Sequence, residues 1–141
     1  MKRTTTENYR KDRFYPKIVQ VTSALLQEGD VLAPVDVLIR MGKLSVGDVT
    51  DWRFGRIPYL ERAVHGNLSH CNRVLRILRM HAHDLNLAPS LTVYRKWGKG
   101  PKVTLRFTKN RMRGAEEAWT RHFVRTTRKG SESNTGEATS E

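Results

Sequence analysis

The fold is read from one stretch: Asn67-Leu68-Ser69-His70-Cys71-Asn72-Arg73-Val74-Leu75-Arg76-Ile77-Leu78-Arg79-Met80-His81-Ala82-His83-Asp84-Leu85-Asn86. Cys71, Val74 or Leu75, Leu78, Ala82 and Leu85 recur at helical spacing, and Asn67 or Ser69 stands where a helix cap belongs. The spacing predicts the longest helix of the chain, 67–86. Its other face carries Arg73, Arg76, Arg79 or Met80, and His83. Arg73, Arg76 and Arg79 follow one another at intervals of three and are expected to form one ridge.

After this helix the pattern changes. Pro89 ends the region, and Leu91 to Trp97 and Val103 to Phe107 alternate like strands. Between them lies Gly98-Lys99-Gly100-Pro101-Lys102, a glycine-bearing turn, so 91–107 is predicted as a β-hairpin. Leu91, Val93 and Trp97 are expected to share the inner face with Val103, Leu105 and Phe107. A last helix, about Ala115 to Val124, offers Ala118, Trp119, Phe123 and Val124 for packing.

Upstream, Pro16 opens a helix at a position where a missing N–H costs nothing. Ile18, Val21, Leu25 and Val19, Thr22, Leu26 make its stripe, and it ends near Gly29. Val31-Leu32-Ala33 is a short extended link. Pro34 opens a second helix, with Val35, Leu38, Ile39 and Met41 apolar and Gly42 as its stop. Ser45 followed by Asp48 resembles a capping box and begins a short helix through Val49 and Trp52. Pro58 begins another through Tyr59, Leu60, Ala63 and Val64. Residues 1–13 read as a basic flexible arm, 14–125 as one domain, and 126–141, rich in Ser, Thr and Glu, as a disordered tail.

Charge is distributed unevenly. Residues 14–66 hold six Lys/Arg and six Asp/Glu, whereas 67–109 hold nine Lys/Arg and a single acid, Asp84, within a chain of net charge +12. A basic half on a neutral half points to a polyanion-facing surface, with nucleic acid the first candidate. Bilayer spanning needs about 18 consecutive apolar residues, and no run approaches that, so no membrane role is expected. The polar start, Met1 to Asn8, carries no apolar stretch of the kind that directs secretion. One cysteine, Cys71, excludes an internal disulfide and a cysteine-rich zinc site, and a cytoplasmic setting is the natural expectation.

Enzyme chemistry finds little to stand on. His81 and His83 lie about 200° apart around a helix and cannot chelate one ion. A nuclease needs clustered carboxylates, and the basic half has only Asp84. Gly98-Lys99-Gly100 precedes a strand, not the helix a phosphate loop requires. Cys71 lies on the apolar face and reads as a core residue. No catalytic residue, metal or cofactor is expected. Trp52, Trp97 and Trp119 read first as core or rim packing.

The order helix, extended link, helix, short helices, long basic helix, hairpin resembles a winged helix-turn-helix over residues 14–109, with one extra short helix at 45–53 or 58–65. The expected fold class is therefore mainly α with a C-terminal β-hairpin, winged-helix-like. In that family the helix after the turn enters the major groove and the wing tip touches backbone or minor groove. The resemblance implies that 67–86 is the recognition helix and Trp97 to Lys102 the wing tip. The sequences around Asp51-Trp52-Arg53-Phe54-Gly55-Arg56, Pro58 to Arg62, Asn67-Leu68-Ser69 and Trp97-Gly98-Lys99-Gly100 also resemble small bacterial proteins without an assigned function, which implies a bacterial or phage origin.

The expected nucleic-acid contacts are His70, Asn72, Arg73, Arg76 and Arg79 on the helix, and Arg95, Lys96, Lys99, Lys102 and Arg106 on the hairpin. Arginine pairs in a two-pronged way with phosphate or guanine, and a helix N-terminus suits a phosphate. Duplex DNA is the favoured partner. RNA is the alternative, since Tyr94, Trp97 and Phe107 suit single strands. A third reading is a small inhibitor or adaptor of phage or mobile-element type that docks on an acidic protein. The apolar excess of Val35, Leu38, Ile39, Trp52, Phe54 and Tyr59 adds a homodimer surface to the expectations.

Overall fold

The computed structural model describes Thr5 and residues 7–126. These form five α-helices and three strands: α1 (Tyr15–Glu28), β1 (Val31–Leu32), α2 (Pro34–Arg40), α3 (Val46–Arg53), α4 (Leu68–Asp84), β2 (Ala88–Leu91), α5 (Arg113–Thr120) and β3 (Arg121–Val124). The chain is mainly helical with a small antiparallel sheet, whose strand order is β1-β3-β2.

Local chemistry sets the helix ends. Pro16 and Pro34 stand in the first turns of α1 and α2. Gly42, at φ +78°, takes the left-handed position after α2, and its neighbour Lys43 donates its N–H to the Leu38 carbonyl at 2.8 Å. The Ser45 hydroxyl accepts from the Asp48 N–H at 3.1 Å and caps α3. The Asn67 side chain accepts from the Ser69 N–H at 2.8 Å and caps α4. Between α3 and α4 a single 3-10 turn, Leu60–Ala63, buries Leu60.

The central helix is α4. It buries Cys71, Val74, Leu75, Ile77, Leu78, His81 and Ala82, so its apolar stripe is wider than that of a half-exposed surface helix. On α1, Ile18, Val21, Thr22 and Leu25 face it. His81 is buried and His83 exposed, as the helical period requires. Packing begins earlier than the boundary expected at residue 13. Within the stretch read as an arm, Tyr9 is buried in a 3-10 turn (Tyr9–Lys11) and its hydroxyl donates to Asp84. The tail reading at 126–141 falls outside the described residues except for Thr126.

Two expectations at the C-terminal end are corrected. The helix placed at 115–124 stops at Thr120, and Arg121–Val124 instead forms the middle strand. Phe123 pairs with Leu32 on one side and Pro89 on the other. The aromatic and β-branched residues at 123–124 favour a strand once partners exist on both sides.

The hairpin at 91–107 is not a two-stranded ribbon. It keeps one bridge, Arg95 with Thr104, framed by Lys96 N to Val103 O and Leu105 N to Tyr94 O, each 2.8 Å. The ladder cannot extend because α5 takes the neighbouring donors. Thr92 N–H donates to the Thr120 carbonyl at 2.9 Å, and Phe107 N–H and Thr108 N–H donate to the Glu116 carboxylate at 2.9 and 2.7 Å. The expected inner face is inward only in part: Phe107 is fully buried and Leu105 half-buried, whereas Leu91, Val93, Trp97 and Val103 are 57%, 58%, 45% and 56% exposed. The inward positions belong to aromatic rings. Phe107 lies 4.7 Å from Trp52, 5.2 Å from Tyr94 and 5.3 Å from Trp119, centroid to centroid. Trp52 Nε1 donates to the Arg106 carbonyl at 2.8 Å and fixes this loop to α3.

The apolar surplus read as a self-association surface is largely taken up within one copy. Val35, Leu38 and Trp52 are buried, Ile39 and Tyr59 half-buried, and Phe54 lies edge-on to Trp97 at 5.7 Å.

Candidate nucleic-acid interface

The ten residues singled out in the sequence fall into three groups. Asn72, Arg76 and Arg79 lie on the outer face of α4 and are exposed. All three border a depression of about 310 Å³ shared with Glu61, Arg121 and Phe123. Arg121 is held by Glu117 at 3.3 Å, whereas Arg76 and Arg79 form no ion pair with any described residue. The stripe therefore runs 72, 76, 79, at steps of four and three, and omits Arg73.

Arg73 belongs with His70 in a second group. Its Nε lies 3.6 Å from Asp12, and its guanidinium is 5.8 Å from the Phe14 ring centre. The expected 73–76–79 ridge is thus divided, because the carboxylate and ring just before α1 draw Arg73 aside. Arg13 Nη2 lies 3.1 Å from His70 Nε2, and the Phe14 and His70 rings are 5.5 Å apart. Partial burial, and then the charges of Arg13, Lys43 and Arg73, hold His70 below the usual imidazole range.

The third group is the loop 94–106. Gly98 and Gly100 have φ of +93° and +97°, a backbone path that glycine permits. They place Lys99 and Lys102 at the tip, where Lys102 Nζ donates to the Gly98 carbonyl, whereas the end of the Lys96 side chain lies against Gly55. This tip rests on the end of α3. Trp97 N–H donates to the Arg53 carbonyl at 2.7 Å, and the Arg53 guanidinium lies 4.3 Å from the Trp97 ring centre and 5.2 Å from that of Tyr94. Burial lowers the Arg53 pKa from its ordinary value. A Cβ on Gly98 would lie 3.3 Å from Phe54, so the loop and α3 approach closely there. Arg95 is exposed, and Arg106 spends its donors on the carbonyls of Pro58 and Lys109.

α5 stands between the first and third groups. Its Ala115 and Ala118 border the depression beside Arg76 and Arg79. Its Glu116 and Thr120 border an open groove of about 830 Å³, whose wall includes Leu91, Val93 and Val103. The basic region that is continuous in sequence is therefore two surfaces in space. Sequence reasoning missed Arg13, Lys43 and Arg53. Arg13 lies in the stretch read as a basic arm and is the sequence neighbour of Phe14, whereas Lys43 sits in a segment of balanced charge that only the fold carries to that ring. Arg53 beside Trp52 and Phe54 gives an aromatic signal, but its partners Tyr94 and Trp97 are distant in the chain.

Among the described residues, no three His, Cys, Asp or Glu side chains come together as a metal would require. No described helix is long and apolar enough to cross a membrane. No family model, curated protein or solved structure matches the chain.

Proposed function

We propose that the chain is a non-enzymatic, winged-helix-like protein that binds duplex DNA. The observation that carries this reading is the absence of acidic partners at its exposed cations. Arg76, Arg79, Arg95, Lys99 and Lys102 form no ion pair with a described residue, while Asp84, Glu28, Asp51, Glu117 and Asp30 are paired with Arg10, Arg40, Arg56, Arg113 and Arg125. Unpaired surface cations are free to displace counterions from a phosphate backbone, which is what drives such binding. The order of elements supports the winged-helix part, with a loop after β2 standing as the wing.

In this reading the wing lysines contact phosphate as point charges and set position. Base readout falls to Asn72 and Arg76 on α4, because Arg73 is turned toward Asp12 and Phe14 and away from that stripe. Neutralising about five phosphates implies that affinity falls on the order of 100- to 1000-fold between about 50 and 200 mM salt. Titration of a labelled duplex at those two ionic strengths tests this, and absence of binding at the lower one refutes it. Competition with single-stranded RNA tests the alternative. Trp97, 45% exposed beside Arg53 at the tip, is the feature that favours RNA, since an exposed ring can stack an unpaired base. Stronger binding of RNA than of duplex DNA reverses the assignment.

A further inference from the structure

We propose that Arg13, Lys43, His70 and Arg73 form a phosphate-binding site at the start of α4. The site stands on its own geometry; that the phosphate belongs to a nucleic-acid strand rests on the function proposed above.

Three segments far apart in sequence build it: the residues just before α1, the turn between α2 and α3, and the first two turns of α4. Around one ring, that of Phe14, they place Arg13 at 4.9 Å, Lys43 at 5.6 Å and Arg73 at 5.8 Å from its centre. A solvated basic helix face explains cations at helical spacing on one element. It does not explain cations brought together by three elements.

The charges of all three act on His70 as well, so like charges are gathered around one side chain, and the compensation within the cluster is small. Asp12 is the one carboxylate in contact with it among the described residues. One Asp12 oxygen accepts from the Phe14 N–H at 2.9 Å, and the other lies 3.6 Å from Arg73 Nε. Three cations against one carboxylate leave an excess that a phosphate group would balance. The first turn of α4 adds the positive end of a 17-residue helix.

His70 gives the site a distinctive property. Arginine can only donate, so its contact with His70 Nε2 at 3.1 Å requires that nitrogen to be an acceptor and the ring to be neutral. An anion among the three cations would offset the charges that disfavour imidazolium. Arg13 would turn to the phosphate, and His70 would take up a proton and donate as well. Phosphate binding and protonation of His70 are therefore coupled in the same direction.

The test follows the His70 ring signals of the full chain by NMR, across pH, with inorganic phosphate added at ionic strength matched by chloride. A duplex lacking terminal phosphates is the second probe. The expected result is a saturable shift of the His70 signals and an upward move of its titration midpoint, with His83, whose side chain is 91% exposed, unaffected. Arg13→Gln and Lys43→Gln should each weaken the response roughly 10-fold, the size of one lost hydrogen bond to a charged group. Arg13 is exposed, so its substitution leaves the core intact. A response to phosphate without duplex binding keeps the site, assigns it to a free or terminal phosphate, and removes the nucleic-acid reading. Duplex binding in which neither probe moves His70, or responses that survive both substitutions, overturn the site and leave the nucleic-acid reading standing.

Discussion

Replacing Glu116 by alanine should do more damage than any other single change to a charged residue of α5. Its carboxylate accepts from Phe107 N–H at 2.9 Å, Thr108 N–H at 2.7 Å and the Thr108 hydroxyl at 2.6 Å. Phe107 is fully buried and Thr108 is 4% exposed, so the donors released have little access to water. A buried donor left unpaired costs about 1–3 kcal/mol. Two amides set a range of about 2–6 kcal/mol, while the hydroxyl can rotate to another acceptor. With partial relaxation of the loop, a loss of about 3 kcal/mol is expected. In a domain of this size that lowers the melting temperature by roughly 10–15 °C. Urea unfolding followed by tryptophan fluorescence suits the measurement, because Trp52 and Trp119 both pack on Phe107. Glu117→Ala is the control: its partners are Arg113 and Arg121 in i,i+4 pairs, worth about 1 kcal/mol or less. Were Glu116→Ala to unfold within about 0.5 kcal/mol of the parent, below the cost of even one unpaired donor, the anchoring argument would be wrong.

Other outcomes follow from single groups. Burial, then the nearby Glu61, pushes the Cys71 thiol up to about 12, so it should resist a thiol reagent at pH 8 in the folded protein and react fully in urea. His81 and His122 both titrate below the usual 6.5, chiefly because burial disfavours the charged ring. The folded state then binds fewer protons than the unfolded one, and the stability these groups supply is whole above about 6.5 and declines as pH falls through it. The urea midpoint should be lower at pH 5.5 than at 7.5, and equal midpoints would contradict this. Asn67→Ala removes the α4 cap and should cost about 1 kcal/mol by the same unfolding assay, with no change in the denaturant slope.

What the sequence discloses and what it withholds divide along the range of the interactions. Pro16, Pro34, Ser45 and Asn67 announce helix starts because capping acts within three or four residues, and the structure agrees at each. The apolar face of 67–86 is legible for the same reason as far as Ala82, while Leu85, expected on it, lies just past the helix end and is 43% exposed. The sheet is not legible. Its strands have two to four residues, too few for a period to register, and each finds its partner far along the chain. The alternation at 91–97 and 103–107 gives a true turn and, at Leu105 and Phe107, a true face, but the face is wrong at Leu91, Val93, Trp97 and Val103, since the core side is decided by where Trp52 and Trp119 stand. The cations of 67–109 are visible as composition. Their separation by α5, and the arrival of Lys43 and Arg73 at Phe14 beside its neighbour Arg13, are tertiary facts with no local trace.

The placement of β3 has a consequence for how the chain comes to be folded. Val31 and Ala88 both meet Val124, and neither strand touches the other. Until residues 121–124 arrive, β1 and β2 are short edges with unpaired backbone groups. Closing so wide a loop is entropically costly, and contacts of such sequence separation form late. During synthesis on the ribosome, the helices can collapse on α4 as soon as it emerges, but the sheet waits for the strand translated last among the three. A chain released before that point would be a helical cluster with two open edges, prone to pair with another copy of itself.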